Sequence, residues 1–355
     1  MTTKNLKQVD KAALGFIANG GAVLGSGGGG DPYIGRLMAE HALGSNTISV
    51  VSVDDLDDDA LIMPVAMMGA PQVMQEKFPS HDNFHKCIST VEKLMGRKVS
   101  ALFCIEAGGL NSVIPFIASA ELNLPIVDGD AMGRAFPELQ MVSFTLGGIQ
   151  ATPMAMFDEK GNGATFTTIS NTWTEKLARA ITIEMGGSAI VALYPVTAEQ
   201  ARNNMIKGSL SQIHRIGQLM TEHGSNATAA IAEDQGGVIL FQGRVRDVER
   251  ASDGGFTKGK LLLEGQGDFR NRTTEMRFQN EFISIEEEGR SLATTPDLLT
   301  LMDVNTGVPV PTDLVKYGLS VYALGLPSPD VWKTPEGLKL VGPEYFGLDV
   351  DYVPL

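Results

Sequence analysis

Continuous apolar runs alternate with amphipathic segments through the first half of the chain. The runs "ALIMPVAMMGAP" at 60–71 and "SALFCIEAGG" at 100–109 are each followed by residues with helical spacing. Apolar runs without a polar face are typical of parallel strands that are buried on both sides and connected by helices. The pattern therefore predicts an α/β N-terminal domain with a mainly parallel sheet.

The second half of the chain changes character at about residue 236. From there, short strand-like segments separated by turns predict a β-rich part of the barrel or sandwich type. A cluster of turn residues at 157–168 marks an earlier break, and 355 residues exceed the usual size of a single core. We expect two domains, residues 1–168 and 169–355, the second being α+β with its β-rich part from about residue 236.

Local signals set several helix boundaries. Each signal below pairs a capping residue or a glycine with a helical pattern. The predicted features are a helix over 9–18 that ends at Gly20–Gly21, an N-cap at Asp31 followed by Pro32, a capping box of Thr172 with Glu175, a second capping box of Thr197 with Gln200 that opens a helix over about 198–222, and a helical segment after Asp130.

Charge and composition exclude several functional classes. The net charge is -14, and no basic run is present that could neutralise a phosphate backbone, so we expect no nucleic-acid partner. No apolar run approaches the roughly 20 residues of a membrane helix, so we expect no membrane partner. The absence of a signal-like segment and the presence of two cysteines, Cys87 and Cys104, favour a cytoplasmic protein without disulfides.

The stretch "LGSGGGGDPYIGR" at 24–36 carries four consecutive glycines. A phosphate-binding loop would need a Lys-Ser/Thr pair where Asp31 and Pro32 stand, and a dinucleotide fingerprint would need a preceding strand. We interpret the run as a close-approach wall of a small-molecule site. Its binding candidates are Ser26, Gly27, Gly28, Gly29, Gly30 and Asp31, the last either capping the next helix or facing the site.

Carboxylates follow two of the predicted strands. Glu106 ends one apolar run, with Asn111 close behind, and Asp128 and Asp130 follow the next. Ligands in open α/β sheets bind beyond the carboxyl ends of the strands, and crowded carboxylates need a cation or a shared proton. Either helix capping or catalysis explains Glu106, and either a solvated turn or a metal site explains the two aspartates.

Seven motifs together resemble the S-methyl thiohydantoin desulfurase family over nearly the whole chain. They are "LGSGGGGDPYIG", "MGAPQVMQEK", "IEAGGLNS", "VDGDAMGRAFPELQM", "FQNEFISI", "TTPDLLTLMD" and "TPEGLKLVGPEYFGLDVDYVPL". The resemblance implies two domains, with a swivelling, β-rich part in the second. It also implies removal of sulfur from thiohydantoins and an association with hydantoinase or oxoprolinase genes.

We therefore predict a metal-assisted hydrolase that acts on hydantoin- or thiohydantoin-type five-membered rings. Glu106, Asp128 and Asp130 are the candidate catalytic residues and ligands of a divalent ion, with zinc as one candidate. Arg134 is assigned to a substrate carboxylate. The remaining candidate substrate contacts are Asn111, Glu138, Asn280 and Glu281, besides the residues of the glycine run.

Two other functional classes stay open at this point. A non-catalytic partner subunit of a hydantoinase-like enzyme is favoured by the gene association and by the absence of a self-sufficient catalytic triad. A nucleotide-binding regulator rests on the glycine run alone. In either case we expect a homo-oligomer.

Overall fold

The computed structural model describes residues 5–69, 73, 77, 80–253 and 256–355. Six residues of the motif "MGAPQVMQEK", at 70–72 and 74–76, lie outside the described residues. Within the described part of the chain, helices cover both faces of one sheet, and a second sheet follows them in sequence.

The helices alternate with strands up to residue 235, and one more follows the second sheet. They are α1 Lys11–Leu24, α2 Pro32–Leu43, α3 His81–Met95, α4 Ile114–Leu122, α5 Ser143–Leu146, α6 Asn171–Glu184, α7 Ala198–Asn204, α8 Ser209–His223, α9 Ala227–Gln235 and α10 Pro335–Val341. Short 3-10 turns lie at Val53–Asp55, Gly109–Ser112, Gly224–Asn226, Gly267–Phe269, Asp330–Lys333 and Pro343–Phe346.

The strands fall into an N-terminal and a C-terminal group. The first group is β1 Gln8–Val9, β2 Ile48–Val51, β3 Leu61–Gly69, β4 Val99–Phe103, β5 Ile126–Val127, β6 Gly129–Asp130, β7 Met154–Phe157, β8 Gly163–Phe166, β9 Ser188–Ala192, β10 Val196–Thr197 and β11 Ile206–Lys207. The second group is β12 Val238–Asp253, β13 Phe256–Gly265, β14 Thr273–Gln279, β15 Glu281–Glu287, β16 Arg290–Thr294, β17 Leu298–Asp303 and β18 Ser320–Leu326.

The first sheet is parallel at its centre and antiparallel toward its edges. Its order is β1-β2-β5-β4-β3-β9-β7-β8, and β2, β5, β4 and β3 run parallel to one another. Strands β9, β7 and β8 extend it in antiparallel pairing, with Met67 opposite Ile190. The α/β prediction is confirmed, and β9 shows that the sheet continues past residue 168.

Strand β3 shows why its run is apolar throughout. Its residues are buried up to Met68, and successive side chains enter opposite layers. Met63 and Val65 join the core beneath α1, α3, α4 and α8, whereas Ile62 and Ala66 join the core that contains Phe144. Because both faces of the strand are covered, no polar face is needed.

Helix α1 continues through Gly20 and Gly21 to Leu24, so the predicted end at these glycines is wrong. The glycines instead permit close packing: a Cβ on Gly20 would lie 1.8 Å from the carbonyl oxygen of Ile213 in α8. A Cβ on Gly217 of α8 would lie 1.9 Å from the carbonyl oxygen of Phe16. The two helices therefore touch backbone to backbone, a contact that local sequence does not reveal.

The structure also revises other predicted helix boundaries. Asp31 caps α2 as predicted, and Thr197 with Gln200 forms the predicted capping box. Helix α6 is capped by the Ser170 hydroxyl and not by Thr172. The helix predicted over 198–222 is two helices, α7 and α8, separated by β11, and 131–142 is irregular where a helix was predicted.

The second sheet is antiparallel throughout, in the order β16-β15-β14-β13-β12-β18-β17. The sheet curls until β15 contacts β17, which gives a half-barrel. The predicted β-rich part is confirmed. After β18 the chain returns to the first domain. There Trp332 is fully buried and donates its indole N–H to the carbonyl oxygen of Met132 at 2.8 Å.

No helix in the described part of the chain combines the length and apolar character that a membrane crossing requires.

Adding one methyl group tests the helix contact. Gly20→Ala should destabilise the protein by about 1–3 kcal/mol, since the new Cβ overlaps the backbone of α8. Gly15→Ala is the matched control in the same helix, because the nearest atom to its new Cβ, on Arg36, is 3.6 Å away. The control should leave stability unchanged or raise it by up to about 1 kcal/mol. Urea unfolding of both variants decides, and equal effects would refute the packing argument.

Candidate functional site

The glycine run joins α1 to α2 in a left-handed backbone. The φ angles are 53° at Ser26, 83° at Gly27, 73° at Gly29 and 76° at Gly30. Side chains are unfavourable in this region, which accounts for three of the glycines. The run is therefore a required turn within one domain.

Close approach by β15 accounts for Gly28. A Cβ at Gly28 would lie 2.2 Å from Oε1 of Glu281, and a Cβ at Gly27 would lie 2.5 Å from the ring of Phe282. The backbone N–H of Phe282 donates to the carbonyl oxygen of Ser26 at 2.8 Å. The group that approaches the glycine run is thus a carboxyl from the second sheet.

Arg134 holds the glycine run against β15 and is not free to bind a substrate carboxylate. Its side chain is 1% exposed and also lies over the ring of Phe136, 4.8 Å from its centroid. Its N–H groups donate to the carbonyl oxygens of Ala135, Pro296, Asp297 and Phe282 and to the hydroxyl of Ser26, at distances between 2.6 and 3.3 Å. The role predicted from sequence is therefore corrected to one of holding the loop.

Ser26 and Asp31 have structural partners. The Ser26 hydroxyl donates to the carbonyl oxygen of Leu299 at 2.7 Å while it accepts from Arg134. Asp31 accepts the N–H of Tyr33 at 2.9 Å as the cap of α2. Neither side chain lines the cavity described next.

A cavity lies where the ends of β3 and β4 meet the start of β15. Its volume is about 100 Å³, and on the same measure a single water molecule needs about 10–15 Å³. The cavity therefore has room for a compact small molecule. Its polar lining comprises Glu106, Asn111, Glu138, Glu175, Arg179, Asn280 and Glu281, and Gly29 adds backbone.

Asn111 positions Glu106 against the end of β3. Its amide accepts the N–H of Met67 at 2.8 Å and donates to Oε1 of Glu106 at 2.7 Å. Glu106 is 6% exposed, and its Oε2 has no hydrogen-bond partner among the described residues. One carboxyl oxygen is thus held in place while the other is available to a ligand.

Glu281 supplies a second carboxyl from the other sheet. It is 2% exposed, lines the same cavity, and its Oε2 also lacks a partner within the described residues. Burial raises the pKa of Glu281 to about 8, although Arg134 opposes the shift. Burial also raises the pKa of Glu106 well above its usual range, and the charge of Glu281 adds to that shift. Because the two carboxyls cannot both ionise readily, the pair holds a proton near neutral pH.

The two predicted aspartates are held apart by different partners. Asp130 is fully buried and accepts the N–H groups of Ala107 and Gly133 at 2.7 and 2.8 Å, so it braces the turns around the cavity. Asp128 accepts the N–H and hydroxyl of Ser211 at the start of α8. Neither aspartate lines the cavity.

The other predicted contacts, Glu138 and Asn280, do line the cavity. Glu138 accepts the hydroxyl of Tyr345 at 2.9 Å. Asn280 has a left-handed backbone, with φ 57°, and its side chain accepts the N–H of Thr257 at 2.9 Å. Through these contacts the C-terminal segment and strand β13 reach the cavity.

Sequence reasoning missed Glu175 and Arg179. Glu175 was interpreted as half of a capping box, but it accepts the N–H of Leu139 at 3.0 Å and pairs with Arg179. Both residues lie one helical turn apart on α6, and this i,i+4 spacing was the available signal. Their contact with the cavity depends on the irregular segment around Leu139, which no periodicity predicts.

The divalent ion stays a prediction. Among the described residues, no three side chains of His, Cys, Asp or Glu are grouped in a way that could hold a metal ion. Glu106, Asp128 and Asp130 in particular have the separate partners given above. This donor set does not fit a metal centre.

Two family models together match residues 12–355. The model "S-Me-THD-like, N-terminal domain" matches residues 12–168, and "S-Me-THD-like, C-terminal domain" matches 169–355. The chain belongs to the S-Me-THD-like family. The resemblance that the seven motifs indicated is thereby confirmed.

The fold is shared with a solved structure. A protein from Chromobacterium violaceum, known from X-ray crystallography, superposes with a TM-score of 0.83 at 23% sequence identity. The match covers 99% of this chain and 100% of that chain. At this identity it shows that the S-Me-THD-like fold is common to both and nothing of function. No curated protein matched the chain.

The buried carboxyl of Glu281 predicts a pH dependence of stability. Its folded pKa of about 8 lies above the value of about 4.3 in an unfolded chain. Between these values the folded protein keeps a proton that the unfolded chain has lost. The contribution of Glu281 to stability is thus present below about pH 4.3 and is lost as the pH rises to about 8.

Glu281→Gln should remove this dependence. Relative to wild type, the variant should gain up to about 1.4 kcal/mol per pH unit between pH 5 and 8 and nothing further above pH 8. Urea unfolding from pH 5 to 9 measures the difference. Glu264→Gln, at an exposed position, is the control and should show a flat difference. A flat difference for Glu281→Gln would contradict the assigned burial.

Proposed function

We propose that the chain catalyses hydrolysis at a ring carbon of hydantoin- or thiohydantoin-type five-membered rings, in the cavity between Glu106 and Glu281. One observation carries the proposal: two buried carboxyl groups, one from each sheet region, line a small cavity, and each has an oxygen without a partner among the described residues. Membership of the S-Me-THD-like family supports a ring of this class.

The two carboxyl groups suit a paired acid and base. In the desulfurising reaction, water adds to the ring carbon that bears the alkylated sulfur, and the carbon–sulfur bond then breaks. The ionised carboxyl of the pair takes a proton from water, and the protonated one delivers a proton to the ring nitrogen or the departing sulfur. A hydantoin and a thiol are the products, so the atoms balance without an oxidant or a reductant.

Their environment keeps one proton available near neutral pH. Two buried carboxyls that interact cannot both ionise readily, because each charge is poorly solvated and repels the other. The amide of Asn111, at 2.7 Å from Glu106, steadies one of them. The backbone of Gly29 approaches the same space without a side chain. No step above passes through a metal ion, since the described donors do not fit one.

An S-methyl thiohydantoin is the first substrate to test. Purified protein should release methanethiol and form the hydantoin. Glu106→Gln and Glu281→Gln should each lower kcat by about 100-fold or more, the usual effect of removing a general acid or base. Thiol release with a chromogenic reagent measures this; Cys87 and Cys104 are both buried. Glu264→Gln, at an exposed position, should retain wild-type turnover.

Two outcomes would count against the proposal. Full activity in both glutamine variants would remove the carboxyl pair from the mechanism. Absence of turnover by the isolated chain, with turnover on adding a hydantoinase-type enzyme, would favour the partner-subunit alternative instead.

A further inference from the structure

Arg179 occupies a fixed position in the cavity wall. Its Nε pairs with Oε1 of Glu175 one turn earlier on α6, and its Nη2 donates to the carbonyl oxygen of Pro137 at 3.1 Å. The guanidinium lies over the ring of Phe256, 4.4 Å from its centroid. Three elements of the fold, α6, the segment around Pro137 and the start of β13, therefore orient one side chain.

These contacts leave donors unused. A guanidinium carries five N–H groups, and the hydrogen bonds to Glu175 and Pro137 account for two of them. The other three have no hydrogen bond to any described residue. The side chain is 15% exposed and borders the cavity.

Arg179 is also the one cation of this lining among the described residues. Arg134, the other buried arginine nearby, donates to five acceptors in the chain and does not line the cavity. The remaining charged lining residues are carboxyls, Glu106, Glu138, Glu175 and Glu281. Within the described lining, Arg179 is therefore the side chain whose charge attracts an anionic group.

We infer that Arg179 binds a carboxylate carried on a side chain of the ring substrate. The inference rests on the proposed function, because it places the ring between Glu106 and Glu281 and directs one substituent toward α6. A planar guanidinium matches a carboxylate with parallel N–H donors, which gives both affinity and direction. Glu175 keeps the guanidinium in plane while its own charge is held by Arg179 and the N–H of Leu139.

This arrangement makes Arg179 a specificity residue. A neutral ring would still reach the two carboxyls, but it would leave the unused donors of Arg179 without a partner. A ring that carries a carboxylate would fill them. The expected selectivity is about 10- to 100-fold, the usual effect of one charge-assisted contact.

Binding of product-like rings tests the inference without turnover. Calorimetry at pH 7 with hydantoin-5-acetate and hydantoin-5-acetamide should show at least about tenfold tighter binding of the acid by wild type. Arg179→Met should lose this preference and bind both rings alike. Arg179→Lys, which keeps the charge but not the planar fork, should retain part of it.

A surface arginine provides the matched control. Arg202 of α7 pairs with Asp58 and donates to the carbonyl oxygen of Leu56, away from the cavity. Arg202→Met should keep the wild-type preference. A merely structural Arg179 would weaken both ligands equally on substitution, so the ratio of the two affinities separates the roles.

Each result bears on one proposal. Equal binding of acid and amide by wild type, equal weakening of both by Arg179→Met, or no binding of either ring would overturn the inference. If wild type binds the acid more tightly than the amide but no substrate is turned over, the proposed function fails and the role of Arg179 stands. If S-methyl thiohydantoins are hydrolysed equally well with and without a carboxylate, the proposed function stands and the role of Arg179 fails.

Discussion

The site depends on one buried charge, the guanidinium of Arg134. Removing such a group from water is costly, and here five acceptors of the chain replace the lost solvation. Burial lowers the pKa of Arg134 to about 10, so the group stays charged at neutral pH. One acceptor is the neighbouring Ala135, and the other four belong to the glycine run, the start of β15 and the turn before β17. A single side chain thereby sets the distance between the first sheet's loops and the carboxyl of Glu281.

Burial, which makes the charge of Arg134 costly to desolvate, also raises the pKa values of the carboxyl pair. Glu106 and Glu281 are withdrawn from water without a cation bound directly to either. Their raised pKa values follow mainly from this desolvation, and the charge of Glu281 adds to the shift of Glu106. Surface carboxyls would be ionised at neutral pH and could only accept protons. The pair can both give and accept them, because the protein interior stabilises charge poorly.

The sequence allowed prediction of features whose cause is local. The apolar run of β3, the Asp31 cap and the Thr197–Gln200 box each depend on neighbours a few residues away, and all are present. The fold class followed from their order. The four glycines of the run occupy left-handed or closely approached positions, and its role as a wall of a small-molecule site stays a prediction.

Features with distant causes were not predictable. Position 20 in the middle of α1 needs glycine because the backbone of α8, almost 200 residues later, leaves no room for a Cβ. Asp128 turns toward Ser211, and Arg134 toward β15 and β17, through contacts that no spacing encodes. Glu175 carried a capping pattern that the true cap, Ser170, made irrelevant. In each case the residue type indicated that the position matters, but the sequence did not indicate which distant residue it contacts.

The position of β9 has a consequence for how the chain acquires its structure. The strand at 188–192 lies between β3 and β7, although the N-terminal family model ends at residue 168. A fragment that stops there would leave two neighbouring edges with unpaired backbone groups and an open core. Strand β9 of the second family module therefore completes the first sheet, and we expect a gene that carried only the first module to encode an aggregation-prone product.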